Sequence, residues 1–239
     1  MSVKRWLLLI GLLGMLGQGA LLLAQPDVDC AMIAPPGVDA SYFIGQGNAF
    51  FAQNDFTQAI AAYTCALETN PDFAPAYVNR GFAFAAQRAD PEALADYNRA
   101  LELDEALVSA YNNRGVLYTN QGNFGLAIAD FTVAIALDPD NAAAYNNRGI
   151  VHAAERNYDL AMADINEAIA IDPDFAAPHA SLGALYIALA LESYAMYQAI
   201  EGERALLPGG EPDLILGGLQ GALETGNFAV WLPLLTPDR

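Results

Sequence analysis

Lysine is almost missing from this chain. Its 239 residues carry ten basic side chains against 28 acidic ones, a formal net charge of −18. The one lysine is Lys4, which lies with Arg5 in residues 1–24, a segment without any acid. Setting those two positive charges aside leaves −20 on the remainder, which has eight arginines and no lysine. A surface of that sign repels phosphate backbones and anionic headgroups. Nucleic acid is therefore excluded, and the expected partners are neutral, basic or apolar. Cysteine is also scarce: Cys30 and Cys65 form no Cys-x-x-Cys motif and no Cys/His cluster, so no metal site is expected. Histidine is limited to His152 and His179. No GxSxG, P-loop, HExxH or post-strand GxGxxG occurs. The chain is read as a non-enzyme with no cofactor.

There is one long apolar run. It extends from Trp6 to Ala24, 19 residues following Met1-Ser-Val-Lys-Arg5. A positive start before an apolar stretch is the pattern of an export signal. Cleavage after Leu22-Leu23-Ala24 is one outcome. The other is a retained anchor, since about 20 residues span a bilayer. In both, Lys4 and Arg5 stay inside and the rest goes outside, into periplasm, envelope or medium. Membrane contact is expected only through residues 6–24, if uncleaved. In an exported chain two cysteines permit a disulfide, and Cys30 is expected to pair with Cys65. The alternative is two separate thiols, with Cys65 a small core residue.

What is abundant is repetition. Gly47, Gly81, Gly115, Gly149 and Gly183 stand 34 residues apart. Four residues before them are Phe43, Tyr77, Tyr111, Tyr145 and His179; three after are Phe50, Phe84, Tyr118, His152 and Tyr186. Alanine follows at 59, 93, 127, 161 and 195. A large residue comes four later at Tyr63, Tyr97, Phe131 and Ile165, with Ala199 breaking the series. A second alanine stands at 66, 100, 134 and 168, and proline closes units at 71, 139 and 173. Spacings of three and four put these residues on one stripe of a helix. A fixed period of this length marks stacked helical hairpins, each unable to bury its apolar face alone. The two histidines occupy ring positions and are read as packed side chains.

In this order and period the chain resembles the tetratricopeptide repeat (TPR) family. The resemblance implies an all-α, right-handed solenoid of five helix-turn-helix units over 40–207, bounded at 40–73, 74–107, 108–141, 142–175 and 176–207. Residues 1–24 are the signal or anchor and 25–39 a proline-containing linker. Residues 208–239 are a capping segment, with 213–225 and 228–235 as short helices. The fifth unit fits least, having Ala199 and Gly202 at positions of expected larger or alanine residues.

Units two to four share Asn-Arg-Gly. Asn79, Asn113 and Asn147 form one column, which the resemblance places on the concave groove of peptide-binding relatives. An amide can bind a peptide backbone without reading its side chains. Asn112 and Asn146 are expected to widen that column. Arg80, Arg114 and Arg148 stand where the resemblance implies a packed leucine, so each needs a partner. Asp96, Asp130 and Asp164 lie sixteen residues on and are absent, like the arginines, from units one and five. Pairs Arg80–Asp96, Arg114–Asp130 and Arg148–Asp164 are therefore expected, with Asp104, Asp138 and Asp172 as rivals. A competing role for the arginines is to hold an acidic peptide. The function expected is an exported scaffold or adaptor that binds a protein or extended peptide on its concave face. The alternative is a binder of a small molecule or cell-wall fragment inside the superhelix, closed by Trp231.

Overall fold

The computed structural model describes Cys30 and residues 37–201. The segments 1–24 and 208–239 lie outside the described residues, as does Gly202. Among the described residues there are nine helices and no strand. The first eight form four hairpins: α1 (Ala40–Ala52) with α2 (Phe56–Thr69), α3 (Ala74–Ala86) with α4 (Asp90–Leu103), α5 (Val108–Asn120) with α6 (Phe124–Leu137), and α7 (Ala142–Ala154) with α8 (Tyr158–Ile171). The ninth, α9, runs Ala176–Glu201. No helix among the described residues is long and apolar enough to cross a membrane.

Caps and turns set these boundaries. Asp39 accepts hydrogen bonds from the Ser41 and Tyr42 amides, Asp55 from Gln58 and Asn141 from Ala144. Each satisfies backbone donors that a first helical turn leaves free. Pro75 and Pro91 sit in the first turns of α3 and α4, where a missing N–H is harmless. Every hairpin turn contains one residue in the left-handed region: Asn54 (φ 59°), Arg88 (62°), Gly122 (75°) and Arg156 (62°).

Each hairpin closes on its glycine. A Cβ added at Gly81 would lie 2.8 Å from the Tyr97 ring, at Gly115 2.7 Å from Phe131, and at Gly149 2.8 Å from Ile165. Gly47 lies equally hard against Tyr63. The absence of a side chain lets the opposing large residue seat on the helix backbone. Ala59, Ala93, Ala127 and Ala161 beside these contacts are wholly buried, as are Ala66, Ala100, Ala134 and Ala168. Neighbouring hairpins stack through the same residues: Val78, Phe84 and Tyr97 share a core with Ala110 and Leu117 of the next unit.

The expected fifth hairpin does not form. Where the other units turn, this one reads Leu189-Ala190-Leu191, and α9 passes through without a break. Leucine and alanine are strong helix formers, and neither favours the left-handed conformation used by the other four turns. Gly183 accordingly has nothing among the described residues within 4 Å of its Cβ position, and Ala195 is exposed.

At the other end the array is stapled. Cys30 and Cys65 are joined in a disulfide that ties the segment before α1 to α2 across a separation of 35 residues. Closing a loop of that length contributes about 4 kcal/mol in the chain-entropy account. Glu68 completes the one cluster of candidate metal ligands among the described residues, but its two sulfurs are bonded to each other.

Candidate functional site: a groove across the first helices

The three arginines stand one residue before the glycine, at the meeting of three helices. Arg114 donates from Nε and Nη2 to the two carboxylate oxygens of Asp130, each at 2.7 Å. Arg80 grips Asp96 and Arg148 grips Asp164 in the same two-pronged way, all four bonds at 2.8 Å. Such planar pairing is the strong form of a charge-assisted bond. The rival aspartates cap helix ends instead: Asp104 accepts from the Ala106 amide, Asp138 from Asn141 Nδ2 and Asp172 from the Asp174 amide.

A second set of partners lies sixteen residues upstream. Nη1 of Arg80 donates to Thr64 Oγ1 at 3.2 Å, that of Arg114 to Asn98 Oδ1 at 2.6 Å, and that of Arg148 to Thr132 Oγ1 at 3.1 Å. These acceptors belong to the second helix of the preceding unit. Each arginine thus locks its own hairpin and fastens it to the one before. Tyr77 and Phe84 flank the Arg80 guanidinium at 5.6 and 5.9 Å, and Tyr111 and Tyr118 flank Arg114 at the same distances. A cation over ring faces gains further attraction. Hydrogen bonding to the aspartates holds the Arg114 and Arg148 guanidinium groups above their ordinary pKa. Burial pushes the Asp96 carboxyl up, and Arg80 opposes that shift without cancelling it. With every head engaged, the arginines are not presented to an acidic ligand.

In the fourth unit His152 takes the ring position beside Arg148. Its Nε2 is 3.9 Å from Asp164 and its Nδ1 is buried without a partner. His179 is not packed: it is exposed, with Nε2 2.9 Å from the Pro173 carbonyl, where Tyr77 donates from its hydroxyl to Pro71.

The asparagine column divides. Asn79, Asn113 and Asn147 are half-buried, and their side-chain amides make no hydrogen bond among the described residues. Asn113 and Asn147 line one recess of about 440 Å³ between α5 and α7, together with Ser109, Asn112, Val116 and Asn141. A second recess of about 380 Å³, between the α3–α4 hairpin and α5, is lined by Phe82, Arg88, Asp90, Asn113, Val116 and Asn120. The two share Asn113 and Val116 and so adjoin across α3, α5 and α7; Asn79 and Ile150 line neither of them but stand in the same repeat register. Asn112 borders the first recess and donates to Asn141. Asn146 lines neither recess. That residue is 4% exposed, in the register position of the core residue Val78, and its Oδ1 has no partner. Asn112, at the same offset from its glycine, is half-buried and reaches the recess, whereas Asn146 is closed over.

The sequence reading missed an apolar column beside the asparagines. One residue after each central glycine stand Phe82, Val116 and Ile150, exposed by 49%, 41% and 41%. They lie three residues beyond the asparagines, hence on the same helical stripe. The signal was present: three large apolar side chains at one fixed offset, outside the positions that face the hairpin glycine, although Phe82 also stacks on Phe51 of the unit before at 5.0 Å.

Two repeat-family models match the chain. One, described as TPR repeat, covers 47–87 and 90–122; the other, described as tetratricopeptide repeat, covers 112–174. The chain belongs to the tetratricopeptide repeat family. Among solved structures, this TPR chain is similar to the crystal structure of MamA protein, with 23% identity and a TM-score of 0.55 over 71% of this chain and 98% of that one. It is also similar to the Arabidopsis OM64 TPR domain, with 28% identity and a TM-score of 0.47 over 48% and 94%. The first TPR of Spaghetti (RPAP3), bound to the HSP90 peptide SRMEEVD, shows 25% identity and a TM-score of 0.48 over 49% and 94%. The likeness to MamA describes the solenoid fold. No curated protein matches the chain in sequence.

Proposed function

We propose that this TPR protein is an extracytoplasmic scaffold that binds an extended segment of another protein along the groove of α3, α5 and α7. The observation that carries this reading is the pairing of two columns on one stripe. Asn79, Asn113 and Asn147 offer amides without a hydrogen-bond partner among the described residues, and Phe82, Val116 and Ile150 offer exposed apolar surface beside them. A half-buried amide that bonds nothing among the described residues has capacity to spare for a ligand backbone. Export is supported by the charged-then-apolar pattern of residues 1–24 and by a disulfide, which persists in oxidising compartments. With a net charge of −18 the favoured partner segment is neutral or basic. The rival reading, a small ligand closed in by Trp231, turns on a residue outside the described ones.

Crosslinking and pull-down from cell-envelope extracts tests the proposal, with the unmodified chain beside an Asn79/Asn113/Asn147→Ala variant. Loss of the captured proteins from the variant is expected. An unchanged profile would remove the groove from the account.

A further inference from the structure

The two columns present one exposed apolar side chain and one amide without a hydrogen bond among the described residues in each central unit, not a continuous surface. That spacing constrains the ligand's conformation, provided the groove is the binding face. The first helices of successive central units touch, and packed helices have axes roughly 8–10 Å apart. A ligand that meets Phe82, Val116 and Ile150 in turn must repeat its apolar side chain at about that distance.

Three backbone conformations can be compared with this requirement. A β-strand brings a side chain back to the same face every second residue, about 6.6 Å, too short to keep step with the units. An α-helix returns nearly in register after seven residues, about 10.5 Å, but satisfies its own backbone and leaves the amides nothing to bind. A polyproline II segment repeats every third residue, about 9.3 Å, and has no internal hydrogen bonds. Its exposed backbone carbonyls can accept from Asn79, Asn113 and Asn147 as its third-position side chains meet the apolar column. Only this conformation satisfies both columns at the spacing of the helices.

We propose that the groove takes a proline-rich polyproline II segment of a partner protein, neutral or basic in charge, with an apolar side chain at every third position. Glutamate or aspartate in the segment would work against the chain's own net charge of −18.

The test uses the full chain and four labelled twelve-residue probes, read by fluorescence anisotropy. One has Leu-Pro-Pro repeated. A second has the same composition with its leucines grouped at one end. A third alternates leucine with threonine, and a fourth is a helical peptide with leucine at heptad spacing. The repeated probe should bind about tenfold more tightly than the grouped one, and Val116→Ser and Asn113→Ala should each weaken it about tenfold. If the alternating or heptad probe binds as tightly and both substitutions weaken it, the polyproline II assignment is overturned while the groove stands. If no probe binds, or neither substitution alters binding, the groove reading falls and this inference with it. Ile150→Ser, at the equivalent position of the next unit, guards against a fold defect peculiar to α5 and should weaken the repeated probe similarly.

Discussion

The fourth and fifth units share a glycine register but not a structure. Around Gly149 stand Ile165 opposite, Ala161 fully buried, an Arg148–Asp164 pair and a turn at Arg156. Around Gly183 the sequence has Ala199 for Ile165, Leu182 and Gln198 for the charged pair, and Leu189-Ala190-Leu191 at the turn. The chain responds by continuing as one helix, with His179, Tyr186 and Ala195 exposed at positions that the central units bury wholly or in part. The difference teaches that the period is not by itself the cause of the hairpin. A glycine matters when a large side chain must seat on it, and a turn forms when its residues tolerate the left-handed region.

The largest expected effect comes from making a central unit resemble the fifth in charge. Asp130→Ala would leave the Arg114 guanidinium, whose side chain is 19% exposed, without its counter-ion. Breaking a buried pair from one side costs about 3 kcal/mol or more. Replacing both partners, Arg114→Leu with Asp130→Leu, should recover most of that, since no unpaired charge remains. Urea titration followed by circular dichroism would show it. A double variant no more stable than Asp130→Ala would mean that Arg114 acts mainly through Asn98 and its flanking rings.

The second prediction sets the two glycines against each other. Gly115→Ala places a methyl 2.7 Å from Phe131, a ring with no exposed surface into which to move. Overpacking of this kind costs about 1–3 kcal/mol, which outweighs the gain of about 1 kcal/mol from alanine in a helix. Gly183→Ala meets nothing among the described residues within 4 Å and keeps only the gain. The two substitutions are identical in chemistry and should shift the urea midpoint in opposite directions. A loss at both positions would mean that α9 is packed at Gly183 as α5 is at Gly115.

Much of this was legible in the residues before any coordinates. The 34-residue spacing pointed to stacked hairpins, and the joint presence of arginine and aspartate in three units pointed to their pairing, because a charge at a packing position must be neutralised. Three things were not legible in the same way. Asn146 stands in the same register as Asn112, yet it is 4% exposed while Asn112 is half-buried at the recess, so repeat position alone does not decide which of the two is open to a ligand. The apolar column was overlooked because Phe82, Val116 and Ile150 look like core residues in a list; only their offset from the packing positions separates them. The missing fifth turn follows from the absence of a breaker, which is harder to notice than its presence.

The smallest expected effects sharpen the contrast at the turns themselves. Arg88 holds φ 62° where Gly122 holds 75° in the next unit. The left-handed region costs an ordinary L-residue about 1–2 kcal/mol, and glycine gives back about 0.5–1 kcal/mol through its freer unfolded chain. Arg88→Gly should therefore stabilise by about 0.5 kcal/mol, and Gly122→Ala should destabilise by roughly the same amount. Both sit far from the Arg–Asp pairs in sequence register, so a melting comparison of the two variants isolates the backbone. If Arg88→Gly destabilises instead, the arginine side chain is contributing to the α3–α4 turn more than its strained backbone removes, and the four turns are not held by one mechanism.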